Sequence, residues 1–484
     1  MFDSDTNNED LQRALDEFDR DPRTAMERVI EKRNEGGMPA RSPLSTGAIE
    51  NGDYVARRDR MRARFPIPAE SDEEARIARN DLPSKLVDKV AYSTLEEMDR
   101  AQLTKARLDE SPWSDDYWGI YLGVLGHRYA DPQFPNSEDW KANLDYVRKH
   151  PASAILASHT ASAMDRLSPS EKYDLLVGDA TGKLTAAMWA QGQEYYDEYG
   201  KVELWMGICH GWAPAAYMLR RPCKTVEALA ADGKTVVRFY PSDIKALASL
   251  LWANASPSAR FIGGRCGESN PKLDENGRVL SAAAFDTNPG TWHVCVVNQI
   301  GVAKRSFVMD ATYDYEVWNQ PVHAYQYSYF NPQTMRVVKS LRDATVARSD
   351  FKKDRFRKYR TSNYSAIAGI SMRVKYVVET EPSHAPEDKP SNDAIQQVVY
   401  HYDIELDDTG KILGGEWYQN KHPDFLWTPA PGLRAVTPED AAATGTWDPR
   451  SALPQSWSKA AVGAAANGTP LARFVEALIA AAQD

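Results

Sequence analysis

Four cysteines in 484 residues are too few for a disulfide scaffold. Cys209, Cys223, Cys266 and Cys295 also lack the paired CxxC spacing of a zinc site, so each stands as a single thiol. No run of 18 or more apolar residues occurs, which excludes a helical membrane span at the level hydropathy can exclude it. Positive charge is in the minority: 58 Lys and Arg against 68 Asp and Glu give a formal net charge of −10. Such a surface repels phosphate backbones, so nucleic acid is not an expected partner. The one basic run, residues 352–360, is broken by aromatic residues and reads as a solvated face. No internal repeat of 20 to 50 residues is present. The opening Met1-Phe2-Asp3-Ser4-Asp5 carries neither a basic start nor an apolar stretch, so no cleavable secretion signal is expected in this numbering.

What is present divides into three parts. Residues 1–84 are rich in charge, Pro and Gly, with short apolar patterns at Leu11, Leu15 and Phe18 and at Met26, Val29 and Ile30; they read as a peripheral arm or pro-segment. Residues 85–435 form the expected catalytic domain. Its first half is mainly helical. Ser168-Pro169-Ser170-Glu171 combines an N-cap serine, a proline at the first helical position and a glutamate placed to close a capping box, and Ser242 precedes an apolar stripe of Ile244, Leu247, Ala248 and Leu251. After about residue 285 the period falls to two, with strands expected at 292–300, 306–312, 373–379, 394–406 and 411–418. Asp407-Asp408-Thr409-Gly410 is a turn, and the Pro-rich stretch 381–393 reads as a mobile loop. Helices followed by strands predict an α+β fold, the helical half packed on an antiparallel sheet. Residues 436–484 are an Ala-rich helical extension ending in a helix that begins at Thr469-Pro470 and presents Leu471, Phe474, Val475 and Leu478 on one face.

Chemistry concentrates at Leu204-Trp205-Met206-Gly207-Ile208-Cys209-His210-Gly211-Trp212-Ala213-Pro214. Cys209 opens what reads as a helix, since Pro214 suits only a first turn and the residues after it favour helix. A thiol at a helix N-terminus meets partial positive charge that stabilises thiolate. A free cysteine is more commonly a small buried hydrophobe, and position alone does not decide between the two. His210 faces elsewhere, because neighbours in sequence diverge on a helix.

The base is therefore sought elsewhere, at His293. Two apolar runs flank Gly301-Val302, and Gly at the first central position suits a two-residue type II′ hairpin. That turn would set His293 directly across from Asp310, the arrangement that orients an imidazole in a catalytic triad. A core histidine with an incidental ion pair is the competing reading. The order Cys, His, Asp, with the thiol on a helix, is that of papain-like and transglutaminase-like sites. Cys295, held mid-strand, is read as packing.

At this point the chain resembles the transglutaminase elicitor family. The residues that carry the resemblance are Val317-Trp318-Asn319-Gln320-Pro321-Val322, which read like a surface peptide that plants detect in the oomycete members. Supporting matches surround Cys209 and precede His293 (Asn288-Pro289-Gly290), with others at residues 167–176, 414–418 and 422–427. His323-Ala324 stands where the family peptide continues with Arg-Gly, a departure that touches plant recognition. The resemblance implies a protein-glutamine γ-glutamyltransferase that is secreted, crosslinks exposed Gln and Lys side chains of proteins, and uses Cys209 as nucleophile. Carrying the base and its orienting acid onto His293 and Asp310 follows from the hairpin. Trp205, Trp212 and Trp292 would line a hydrophobic tunnel favouring amine over water, with the Trp205 indole as an oxyanion donor beside the Cys209 N–H. Calcium is implied by the resemblance alone. Asp403, Glu405, Asp407 and Asp408 offer oxygen at a turn but lack EF-hand spacing, so no metal residue is assigned and no organic cofactor is called for. A cysteine peptidase or glutamine deamidase would use the same triad, and a non-enzymatic wall or adhesion protein is the third reading.

Overall fold

The computed structural model describes residues 6–27, 33–35, 81–157, 160–255, 257–264, 271–311 and 316–483. Ten helices and nine strands place the site. The helices are α1 (Thr6–Arg20), α2 (Pro22–Met26), α3 (Trp140–Lys149), α4 (Pro169–Val177), α5 (Lys183–Tyr199), α6 (Cys209–Met218), α7 (Pro241–Ala255), α8 (Pro289–Val296), α9 (Gln455–Ala466) and α10 (Ala472–Ala481). The strands are β1 (Arg33–Glu35), β2 (Lys105–Arg107), β3 (Ala259–Gly263), β4 (Val308–Asp310), β5 (Asn319–Asn331), β6 (Ala366–Val378), β7 (Ala394–Leu406), β8 (Ile412–Trp417) and β9 (Phe425–Pro429). The fold is α+β, as expected: the sheet runs β1-β7-β6-β5-β4-β9-β3, with β8 beside β7 and β2 beside β5, and each of these pairs is antiparallel.

Local chemistry explains the helices that the sequence announces. Ser168 Oγ accepts from the Glu171 N–H while the Glu171 carboxylate accepts from the Ser168 N–H, closing the capping box that starts α4. Gly178 ends the helix at φ 77°, a conformation that glycine adopts without Cβ strain. The same Glu171 clamps the buried Arg128 through two oxygens. Helices α4 to α7 and the C-terminal α9 and α10 share one apolar core with the loop around Trp113, Tyr117 and Trp118. The extension is therefore built into the body. Tyr173 Oη reaches the Ala461 carbonyl and accepts from the Leu471 N–H, and its ring meets Phe474 edge-on.

A second core lies between the sheet and α8. Here the structure departs from the expected hairpin. Residues 289–296 are helix and 297–302 continue as a single π-helical turn, so Gly301-Val302 joins no strands. Asn288 caps the helix by accepting from the Gly290 N–H, and Pro289 occupies the first position, a helix-start signal outweighed in the sequence reading by the β-branched run that follows. Every residue of α8 is buried, so its apolar run carries no period that separates helix from strand. The expected 306–312 strand is the shorter β4. Strand β5, which pairs along the other side of β6, is not among the expected strands, whereas β7 spans 394–406 as expected.

One other expectation changes. Residues 381–393 are tied down: Asp388 and Asp393 pair with Arg221 at 2.7 and 2.6 Å, and Asp388 also meets Lys245 at 2.8 Å. In the arm, α1 and α2 bury Leu11, Leu15, Phe18 and Met26 against Phe330, Met335, Phe356 and Tyr418, while β1 adds to the edge of β7. Val29, Ile30 and Cys266 lie outside the described residues.

Candidate active site

Cys209 stands at the first position of α6, as the sequence predicts. Pro214 falls inside the helix rather than in its first turn, deleting one backbone hydrogen bond in the middle of α6. The helix entrance is fixed from outside: the Ile208 N–H donates to the Tyr117 carbonyl at 2.7 Å, and Tyr117 Oη donates to the Leu204 carbonyl. Gly211 lets α6 lie against α7. A Cβ there would come within 2.1 Å of the Ser249 carbonyl oxygen.

Cys209 is 5% exposed, and its sulfur meets the segment that leads into β5. Its S–H donates to the Val317 carbonyl at 3.6 Å, and the Asn319 side-chain N–H donates to the sulfur at 3.5 Å. The Asn319 carbonyl oxygen in turn accepts the Trp427 indole N–H at 2.8 Å. Asp310 lies directly across from Asn319 in the β4–β5 ladder and accepts the Trp318 N–H at 3.0 Å. Glu379 accepts from the Gln320 side chain at 2.7 Å. Burial pushes the thiol up to about 11; the Glu379 and Asp310 carboxylates add to that rise and the Asn319 donors oppose it. In this conformation desolvation outweighs the helix field, so the sulfur rests as neutral thiol at pH 7, contrary to the expected thiolate.

Of the expected triad, Cys209 and Asp310 come together and His293 does not. His293 sits on α8, wholly buried, with Nδ1 2.9 Å from Tyr402 Oη and its ring 4.7 Å from that of Tyr327. Asn319 and Tyr327 are eight residues apart on one strand, about 26 Å at roughly 3.3 Å per residue. A side chain touching one end cannot reach the sulfur at the other. Burial alone lowers the imidazole to about 3, so His293 is a neutral core residue and not the base of Cys209.

The three tryptophans do not form one tunnel. Trp205 packs beside Trp427, Val317 and Ala213, near the sulfur, but its indole N–H is given to Glu203 at 2.5 Å and is not directed at an oxyanion. Trp212 is fully buried, donating to the Trp113 carbonyl. Trp292 belongs to the other core, edge-on to Tyr400. Asn319, Trp427 and Glu379 are the neighbours that sequence reasoning left out; Asn319 and Trp427 both stood inside motifs already singled out, without a role. The 317–322 segment, read as a surface peptide, is buried, with Asn319 1% and Val322 0% exposed, because it opens a strand flanked by β4 and β6. Cys295 is buried and packed as expected.

The acids considered for calcium do not fit the ion. Asp403 and Glu405 pair with the buried Arg360, and Asp403 also accepts from Tyr418. Arg360 thus departs from the solvated face expected of 352–360. Asp407 is spent on the turn, accepting from the Thr409 and Lys411 N–H groups. Among the described residues no group of three or more His, Cys, Asp or Glu is arranged to hold a metal.

A family model described as transglutaminase elicitor matches residues 88–441. Among solved structures, the chain is similar to the GP42 transglutaminase from Phytophthora sojae, with 20% identity, 77% of this chain and 94% of that chain covered, and a TM-score of 0.48. No curated protein matches. Among the described residues no helix is long and apolar enough to cross a membrane.

Proposed function

The chain belongs to the transglutaminase elicitor family, and on that premise we propose that it is a protein-glutamine γ-glutamyltransferase with Cys209 as its nucleophile. The observation that carries the reading is the sulfur itself: a thiol at the mouth of α6, held between a carbonyl acceptor and an amide donor. Once ionised, Cys209 attacks the γ-carboxamide carbon of a protein glutamine. The C–N bond breaks, ammonia leaves with the proton, and a thioester remains. A lysine amine then attacks the thioester carbonyl, forming an isopeptide and returning the thiol. The Cys209 main-chain N–H lies in the first helical turn, where N–H groups have no intrahelical acceptor, and serves as an oxyanion donor. Asp310 acts at one remove, holding the Trp318 backbone that delivers Val317 and Asn319 to the sulfur. Protein substrates with exposed Gln and Lys, and a place of action outside the cell where an elicitor is met, belong to the same proposal.

The test is incubation with a glutamine-donor protein and a labelled primary amine, with Cys209→Ala alongside. Incorporation by the wild type and its loss in the variant are expected. Ammonia release without incorporation would favour the deamidase, backbone cleavage the peptidase, and inactivity of the wild type a binding protein.

A further inference from the structure

We propose that Asn319 tunes the ionisation of Cys209 and that Trp427 is the positioning residue that sets which way the Asn319 amide faces. The inference rests on Cys209 being the reactive thiol and adds how that thiol is made ionisable. An indole N–H can only donate, so the atom of Asn319 that meets Trp427 Nε1 at 2.8 Å must be the carbonyl oxygen. The amide is planar, and fixing its oxygen on Trp427 leaves its N–H groups facing the other way, where the structure has Nδ2 3.5 Å from the sulfur. A flipped amide would offer an oxygen lone pair to the sulfur and oppose thiolate.

Three strands hold the relay. Asn319 opens β5, Trp427 lies on β9, and both pair with β4: Asp310 with Asn319, and Val308 with Trp427. Both side chains are buried, Asn319 at 1% and Trp427 at 6% exposure, so water does not substitute for either partner. The main-chain N–H of Asn319 acts on the sulfur in the same sense as its side chain. Against these donors stand Glu379 and Asp310, both of which favour the neutral thiol. Asn319 is thus the residue through which a buried, acid-flanked sulfur gains stabilising donors for its charged form. Hydrogen bonds to a charged group are the strong class, and their loss moves a pKa by about one to two units.

The test reads thiol chemistry without requiring acyl transfer. Iodoacetamide alkylation of Cys209 is followed against pH by peptide mass mapping, which separates it from the other three cysteines. Asn319→Asp keeps the oxygen that Trp427 needs and replaces the donor by a carboxylate; its alkylation profile is expected to move up by at least one pH unit, with kcat for amine incorporation falling more than KM rises. Asn319→Ala is expected to move the profile in the same direction by less. Trp427→Phe keeps an aromatic ring and removes the indole donor, freeing the amide to flip, and is expected to shift the profile upward while leaving the thermal midpoint of the fold in place. A wild-type profile in any folded member of the three overturns the proposal. Should the wild type alkylate as expected yet incorporate no amine, the transferase reading fails while the relay stands; the converse pattern separates them the other way.

Discussion

Cys209 and His293 show how burial decides residue chemistry. The sequence presents both as ionisable partners, and both lose their charged forms to desolvation: the thiol rises to about 11 and the imidazole falls to about 3. For His293 the sign is definite. The unfolded ring takes a proton below about 6.5, whereas the folded one stays neutral down to about 3, so its contribution to stability is lost as pH falls through that window, by up to about 1.4 kcal/mol per pH unit. Buried carboxyls such as Asp81 and Asp115, raised to about 7 by burial, push the other way, so the contribution is read as a difference between two proteins. His293→Phe is expected to be less acid-sensitive than the wild type in thermal or urea unfolding between pH 6.5 and 4, and to keep amine incorporation. Parallel pH profiles for the two proteins would contradict the burial account, and loss of turnover in a folded variant would return His293 to the site.

At the scale of elements, the site depends on close approaches that leave no room for a methyl group. Gly211 brings α6 onto α7, with the Ser249 carbonyl and the Ala253 backbone N within 2.1 and 2.7 Å of where a Cβ would stand. Gly211→Ala therefore pushes the nucleophile helix off its neighbour, an expected cost of about 1–3 kcal/mol in thermal unfolding together with reduced turnover; an unchanged midpoint would show that the helices can slide. Gly290 plays the same part between α8 and β8, where its Cβ would come within 2.7 Å of the Gly414 carbonyl oxygen. Signals of this local kind were legible in sequence. The capping box at Ser168, the apolar stripe after Ser242, the turn at Asp407 and the extent of β7 all rest on neighbours a few residues apart. The hairpin failed because α8 is buried on every side, which erases periodicity, and because a Gly-containing dipeptide between apolar runs also suits a helical continuation. Strand β5 starts inside the 317–322 motif, which resembles a known peptide but shows no strand alternation of its own, and Asn319 is hidden with it.

Two large cores, one helical and one under the sheet, carry most of the molecule; the C-terminal helices belong to the first, whereas α1 and α2 pack a separate, smaller cluster. The C-terminal helices α9 and α10 contribute Trp457, Phe474 and Leu478, and the α10 N-cap residue Leu471, to the core that also holds Cys209. A chain ending at residue 435 is expected to lose its cooperative unfolding transition by circular dichroism; a truncated chain that melts like the wild type would show α9 and α10 to be an appendage. The central claim, that Cys209 carries an acyl group between two proteins, is met most directly by trapping that state. The enzyme is mixed with a glutamine-donor peptide without amine, quenched in acid within one turnover, and digested for mass analysis. The account predicts the peptide containing Cys209 to gain the mass of the donor less ammonia, and to release it on addition of an amine. Ammonia release with Cys209 unmodified throughout, or the adduct on another residue, would contradict it.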